Sequence, residues 1–161
     1  MDKATILDQQ RANCYKLLSL CYYQPDKEIT AIIDALRKEI SAFSQQAVKL
    51  LDEVSVELDE HKDDQNYFLV DYAKLFVGPF NVLAAPYSSV YLNHERRVMG
   101  DSTLEACDMY NKAGLVINAD LKDIPDHIKV ELEFMQYLIQ KNIATEDNLA
   151  LEMQQDFLLN H

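Results

Sequence analysis

Glycine and proline are scarce in this chain, with three and four residues among 161. Apolar residues recur at helical spacing through nearly the whole sequence, so strands have little support and the expected class is all-α. Long apolar runs are missing as well. No stretch approaches the roughly 18 apolar residues of a membrane-spanning helix, and the start, Met1-Asp2-Lys3, lacks a basic region followed by an apolar one. Stable membrane insertion is excluded on this reading, and a cytoplasmic location is expected.

Basic charge is in short supply: 15 Lys and Arg stand against 27 Asp and Glu, a formal net charge of -12. Such a field repels phosphate backbones and anionic headgroups, which excludes nucleic acid and membrane surfaces as partners, and it attracts a cationic peptide at long range. The cysteines Cys14, Cys21 and Cys107 form an odd set with no CxxC. They read as small core residues in a reducing compartment. HExxH, GxSxG, Walker A and GxGxxG patterns are all absent, so neither a hydrolase elbow nor a phosphate-cradling loop is available. His127 and Glu131 stand four apart on one helix, a metal-compatible spacing, but no second His joins them. The chain reads as a protein that is not an enzyme and holds no metal or cofactor.

What is present is amphipathic periodicity in a chain long enough for one core, read as a single domain over residues 1–161. Cys14, Leu17, Leu18 and Cys21 line a first helix that should stop near Tyr23, because the residue before Pro25 is biased away from helical geometry. Ile29, Ile32, Ile33, Leu36 and Ile40 repeat the stripe, as do Ala47, Leu50, Leu51, Val54 and Leu58. The polar residues from Asp59 to Asn66 connect these to a fourth helix through Phe68, Leu69, Tyr72, Leu75 and Phe76, stopped by Gly78-Pro79. From Gly78 to Gly100 no long period settles; an ordered irregular connection is expected, with one short helix after Pro86.

Ser102 with Glu105 fits a capping box for a fifth helix ending at Gly114. Pro125 is expected to open a sixth, with Ile128, Leu132, Met135 and Ile139 on one face and Val130, Phe134 and Leu138 on the other. Apolar on two faces, it belongs at the centre of a bundle. A last helix, capped by Thr145, carries Leu149, Met153 and Phe157.

Two stretches resemble a known family. Tyr72-Ala-Lys-Leu-Phe-Val-Gly-Pro79, continuing to Ala85-Pro-Tyr-Ser-Ser-Val-Tyr91, is similar to the signature of the TorD/DmsD/NarJ family of redox-enzyme maturation chaperones. Ile124-Pro-Asp-His-Ile-Lys-Val-Glu-Leu-Glu-Phe-Met135 resembles the same family's Pro-Asp-His segment. Met99-Gly-Asp-Ser-Thr103 and Tyr110 to Leu115 fall between them in the expected order. The likeness spans residues 67–138 and is weak before them, and tyrosines stand at positions where the family pattern admits Trp.

The resemblance implies a cytoplasmic helical chaperone that binds the twin-arginine signal peptide of a molybdoenzyme precursor, holds back premature export, contacts the apo-form of the catalytic subunit and assists molybdenum cofactor insertion. It assigns peptide binding to Tyr72, Leu75, Phe76, Pro86, Tyr87, Tyr91, Pro125, Asp126 and His127. Phe157-Leu-Leu-Asn-His161 resembles the start of a family segment that continues into further helix. A chain lacking that helix would expose apolar surface, so a monomer or a helix-exchanged dimer is expected.

A twin-arginine peptide needs carboxylates beside an apolar groove. Asp126, Glu131, Glu133 and Glu95 are candidate acids, and Tyr72, Tyr87 and Tyr91 offer broad contact area with a polar tip. Plainer roles compete. Asp126 is equally well a helix cap, His127 a hydrogen-bonded structural histidine, Pro86 a helix opener, and Tyr72, Leu75 and Phe76 core residues. Glu131 and Glu133 cannot share one helix face. The alternative function is a general helical adaptor that grips another amphipathic segment.

Overall fold

The computed structural model describes residues 3–64, 66–78, 82–93, 97–118, 123–145 and 148–161. Among them the regular structure is helical throughout, with no strand beyond one isolated bridge. No described helix is long and apolar enough to cross a membrane. The backbone gathers into two compact units, one ending at Ala85 and the other starting at Pro86.

In the first unit α1 (Lys3–Cys21), α2 (Ile29–Ile40) and α3 (Gln45–Glu60) follow one another, each packed on the next. α1 stops two residues before Tyr23, and its last turn tightens as Tyr22 N donates to Ser19 O at 3.0 Å and Tyr23 N to Leu20 O at 3.2 Å. Asp26 Oδ1 then accepts Glu28 N at 2.8 Å, a local turn that aims the chain into α2. The predicted stripe of α2 is the buried one, centred on Ile33 and Leu36. Asn13 donates to Glu39 at 3.2 Å to tie α1 to α2, and Arg37 pairs with Asp52 to tie α2 to α3.

Ser44 caps α3, its side chain accepting Ala47 N at 3.1 Å. The stripe of α3 is only partly used: Leu58 is buried, while Leu50 and Val54 are exposed. The fourth helix also departs from expectation. α4 (Tyr67–Tyr72) runs into a π-helical turn over Ala73–Val77 rather than continuing as an α-helix. Gly78 N closes that turn by donating to Ala73 O at 2.6 Å, and Gly78 takes φ 55, where glycine is favoured. The stop therefore lies where Gly78 placed it; Pro79 is outside the described residues.

The second unit holds α5 (Ser88–Leu92), α6 (Asp101–Lys112), α7 (Ile128–Thr145) and α8 (Asn148–Asn160). α5 is the short helix expected after Pro86. The capping box at Ser102 is a misreading. Gly100 occupies the cap position of α6, and Ser102 lies inside the helix, buried, accepting Asn93 Nδ2 at 3.1 Å. A Cβ on Gly100 would stand 2.0 Å from Asn93 Nδ2, so this close approach needs glycine. The stop at Gly114 is as expected: at φ 86, its N donates to Asn111 O and Leu115 N to Tyr110 O, both at 2.9 Å. That pair is the Schellman arrangement. Tyr137 OH and Lys141 Nζ, each at 3.2 Å, donate to Ala113 O at the same helix end, where a cation also complements the dipole.

Pro125 does not open α7. It lies in a turn closed by His127 N donating to Ile124 O at 3.0 Å, and the helix starts three residues later at Ile128. Asp126 bonds to Ser88 and Ser89 instead of entering the helical ladder, and His127 stands at the head of α7, its carbonyl accepting Glu131 N at 3.2 Å and its Nδ1 accepting Lys129 N at 3.1 Å. The expected cap of α8 at Thr145 would act through residues 146 and 147, which lie outside the described residues. Thr145 is the last residue of α7, and its hydroxyl donates back to Lys141 O at 2.7 Å. The two-faced character of α7 is real, since Phe134, Met135, Leu138 and Ile139 are all buried. Phe134 meets the Tyr110 ring at 4.7 Å and the Phe157 ring at 5.2 Å, which places α7 between α6 and α8. On α8, Ala150, Met153 and Phe157 face inward, whereas Leu149 points to solvent.

Candidate functional site

The predicted binding residues fall into both units. Tyr72, Leu75 and Phe76 belong to the first. There the Tyr72 ring packs on Phe76 at 5.3 Å, Phe76 packs on Tyr22 at 5.6 Å, and Tyr72 OH donates to Tyr22 O at 3.1 Å. The cluster ties the π-helical turn to the end of α1. Tyr72 and Phe76 are half-buried, and Leu75 is exposed. Tyr22 is a member that helical spacing did not single out.

Pro86, Tyr87, Tyr91, Pro125, Asp126, His127 and Glu131 lie in the second unit, where the two sequence motifs dock side by side. Tyr87 and His127 pair as an antiparallel bridge. Ile128 N donates to Pro86 O at 2.8 Å and Ser88 N to Asp126 O at 3.0 Å. The Asp126 carboxylate completes the seam, its Oδ2 accepting Ser89 N at 2.9 Å. Asp126 thus caps α5, a helix far from it in sequence, and not α7, whose start it precedes. A buried charge in this place is favoured by the positive end of the helix and by a charge-assisted bond. Tyr110 OH supports the turn from below, donating to Pro125 O at 2.9 Å.

Above this seam the Tyr87 ring meets His127 edge-on at 5.2 Å. His127 is itself buried, and its Nδ1 accepts Lys129 N at 3.1 Å. Burial, and then the Lys129 cation, hold its pKa below the ordinary 6.5 against the opposing pull of Asp123, Glu131 and Asp126. The ring is therefore neutral near pH 7. Burial first, and then Asp123 and Asp126, push the Tyr87 phenol above its usual 10.0. Lys129 is paired with Asp123. Tyr91 projects from α5 with 66% of its surface exposed, and Pro86 is buried beneath.

Glu131, expected as an acid for an arginine, is buried and engaged within the fold: its Oε1 lies 2.9 Å from His161 Nε2. The same nitrogen is 3.2 Å from Ser88 Oγ. Serine, histidine and carboxylate thus converge on one ring nitrogen. A hydrolytic triad needs the two ring nitrogens to face different partners, so this grouping is a tether and not a charge-relay device. Glu133 is half-buried, and Glu95 lies outside the described residues. Among the described residues no group of three or more His, Cys, Asp or Glu is placed to hold a metal ion. Cys14, Cys21 and Cys107 are free thiols; Cys14 is buried and the other two are half-buried.

Sequence reasoning missed Ser88, Ser89, Tyr110 and His161. Ser88 and Ser89 carried a signal in the Pro-Tyr-Ser-Ser order after a helix-opening proline; His161 carried none, because its partners come from elements distant in sequence.

Comparison with known proteins gives a consistent pattern. The family model described as nitrate reductase delta subunit matches residues 30–161. The chaperone protein TorD of Vibrio cholerae (strain O395) is 25% identical over 175 residues, covering all of this chain and 78% of that protein. The chaperone protein TorD of Vibrio atlanticus is 31% identical over 105 residues, covering 63% of this chain and 49% of its own. Among solved structures, a proposed redox enzyme maturation protein from Archaeoglobus fulgidus aligns with a TM-score of 0.53 at 22% identity, covering 89% of this chain and 91% of that one. That likeness shows a shared fold. The relatives are named chaperones and maturation proteins, not enzymes.

Proposed function

Since the chain belongs to the nitrate reductase delta subunit family, we propose that it is a molybdoenzyme maturation chaperone that binds the twin-arginine signal peptide of its client precursor in the cytoplasm. The single observation that carries this reading is the seam itself. Two motifs far apart in sequence are joined by backbone and carboxylate hydrogen bonds, with an aromatic pair, Tyr87 and His127, on top and the exposed Tyr91 beside them. A rigid aromatic platform on an ordered connection is what an extended, moderately apolar peptide requires.

The acidic surface supports the same choice. A formal charge of -12 draws a diarginine segment in at long range and fixes its orientation, while apolar contact supplies most of the affinity. Tyr72, Leu75 and Phe76 are proposed to contact the peptide as well. The mechanism is binding energy alone: a chaperone that covers the arginine pair denies it to the export machinery until cofactor insertion is complete.

Calorimetric titration with a peptide bearing a twin-arginine motif and its apolar stretch tests the proposal, set beside the same peptide with both arginines changed to glutamine. Micromolar binding that weakens about tenfold or more on losing the arginines is expected, with a further modest loss at high salt. A folded protein that binds neither peptide would sink this reading and leave a chaperone that touches only the mature enzyme, or an unrelated adaptor.

A further inference from the structure

We propose that Asp126 is a positioning residue: its enclosed carboxylate clamps the Pro86–Ser89 segment onto the Pro125–Ile128 turn, and so sets the Tyr87 and His127 platform, without itself receiving an arginine. The inference rests on the peptide-binding reading above but concerns how the platform is made.

Burial comes first. Asp126 has 0% of its surface exposed. A guanidinium is larger than a water molecule, which already fails to reach the side chain, so neither carboxylate oxygen meets a peptide arginine unless the seam opens. Oδ2 is taken by Ser89 N at 2.9 Å, and Oδ1 is enclosed with no hydrogen-bond partner among the described residues. Opening the seam would also give up Ser88 N to Asp126 O and Ile128 N to Pro86 O. An arginine bound at Asp126 would therefore dismantle the surface on which the rest of the peptide lies.

The second observation is the length of α5. A helix covering only Ser88–Leu92 has little stability of its own, since helix nucleation is unfavourable and one turn adds few bonds to offset it. Its own cap position, Tyr87, makes no side-chain cap bond. The cap comes instead from Asp126, across the fold. Tyr87 and Tyr91 stand at the start and on the exposed side of this helix, so their placement depends on a carboxylate that touches neither the solvent nor the peptide.

Asparagine keeps the decisive atom. Its amide oxygen accepts the same Ser89 N–H, and Asn and Asp are near equals as helix caps. Removing the charge while retaining the acceptor separates the two roles, because an arginine partner needs the charge and a clamp needs the acceptor. The experiment compares wild type, Asp126→Asn and Asp126→Ala by two readouts: hydrogen exchange of the 86–93 segment with no peptide present, and calorimetry with the twin-arginine peptide and its diglutamine counterpart.

Expected for Asp126→Ala is exchange faster by about tenfold or more across α5, and weaker binding of both peptides in similar proportion. Expected for Asp126→Asn is exchange and affinity within about threefold of wild type, with the preference for arginine over glutamine retained. The proposal is overturned if Asp126→Asn loses the arginine preference while its exchange stays at the wild-type rate, the signature of a direct ion pair. It is also overturned if Asp126→Ala leaves exchange unchanged. Should Asp126→Ala fail to fold, Asp126→Asn decides alone. Should wild type bind neither peptide, the functional reading fails, and the exchange arm still decides the clamp.

Discussion

Tyr110→Phe removes one oxygen atom from the support beneath the Pro125 turn and leaves everything else in place. The ring stays against Phe134 at 4.7 Å, so no cavity opens and the packing contribution is unchanged. What is lost is the 2.9 Å bond from the hydroxyl to Pro125 O. Tyr110 is only 4% exposed, so water does not readily take over as donor. The stability loss is then the net value of a buried hydrogen bond plus the penalty of an unsatisfied carbonyl, about 1–3 kcal/mol.

Urea unfolding followed by far-ultraviolet circular dichroism reads this loss as a lower midpoint at unchanged slope. The pH dependence supplies a second check. Burial, with Glu131, Cys107 and Asp126 nearby, pushes the Tyr110 phenol well above its usual 10.0 in the folded chain. The unfolded chain ionises at 10.0, so wild type loses stability as pH climbs past that value and the Phe variant has no such group to lose. The gap between the two proteins should narrow above pH 10. A loss below about 0.5 kcal/mol at neutral pH, or a Tyr110 phenolate that forms near pH 10 in the folded protein, would refute the reasoning.

Three further outcomes are expected. Leu138 is fully buried at the centre of α7, so Leu138→Ala should cost about 2–5 kcal/mol in denaturant unfolding; a cost typical of a surface site would place α7 elsewhere than between α6 and α8. The His127 ring should titrate below 6.5 by nuclear magnetic resonance. Because the unfolded chain takes up that proton first, stability should fall as pH drops through 6.5 toward the folded midpoint, an effect missing from His127→Gln. Burial lifts the Cys14 thiol from 9.0 to about 11, lowering its thiolate fraction near pH 8 about a hundredfold, so iodoacetamide should label it slowly until the chain is unfolded; rapid labelling of the native protein would contradict its place in the core.

The same contrast between local and distant interactions explains what was legible before the fold was known. By itself the sequence determined the helical class, the stripes of α2 and α7 and the stops at Gly78 and Gly114, because each follows from spacing within one helix or from the residue that takes positive φ most readily. It also carried the two motifs and the acidic surface. Only the tertiary structure decided which helix Asp126 caps, that Ser102 bonds Asn93 instead of capping α6, that Pro125 lies in a turn before α7, and that Glu131 is held by His161. Those assignments depend on hydrogen-bond partners outside the helix concerned, for Asp126 and Glu131 from distant parts of the chain. A side chain such as Asp126 has equal local preference for its own helix start and for any amide that the fold brings within 2.9 Å, and spacing along the chain does not distinguish the two.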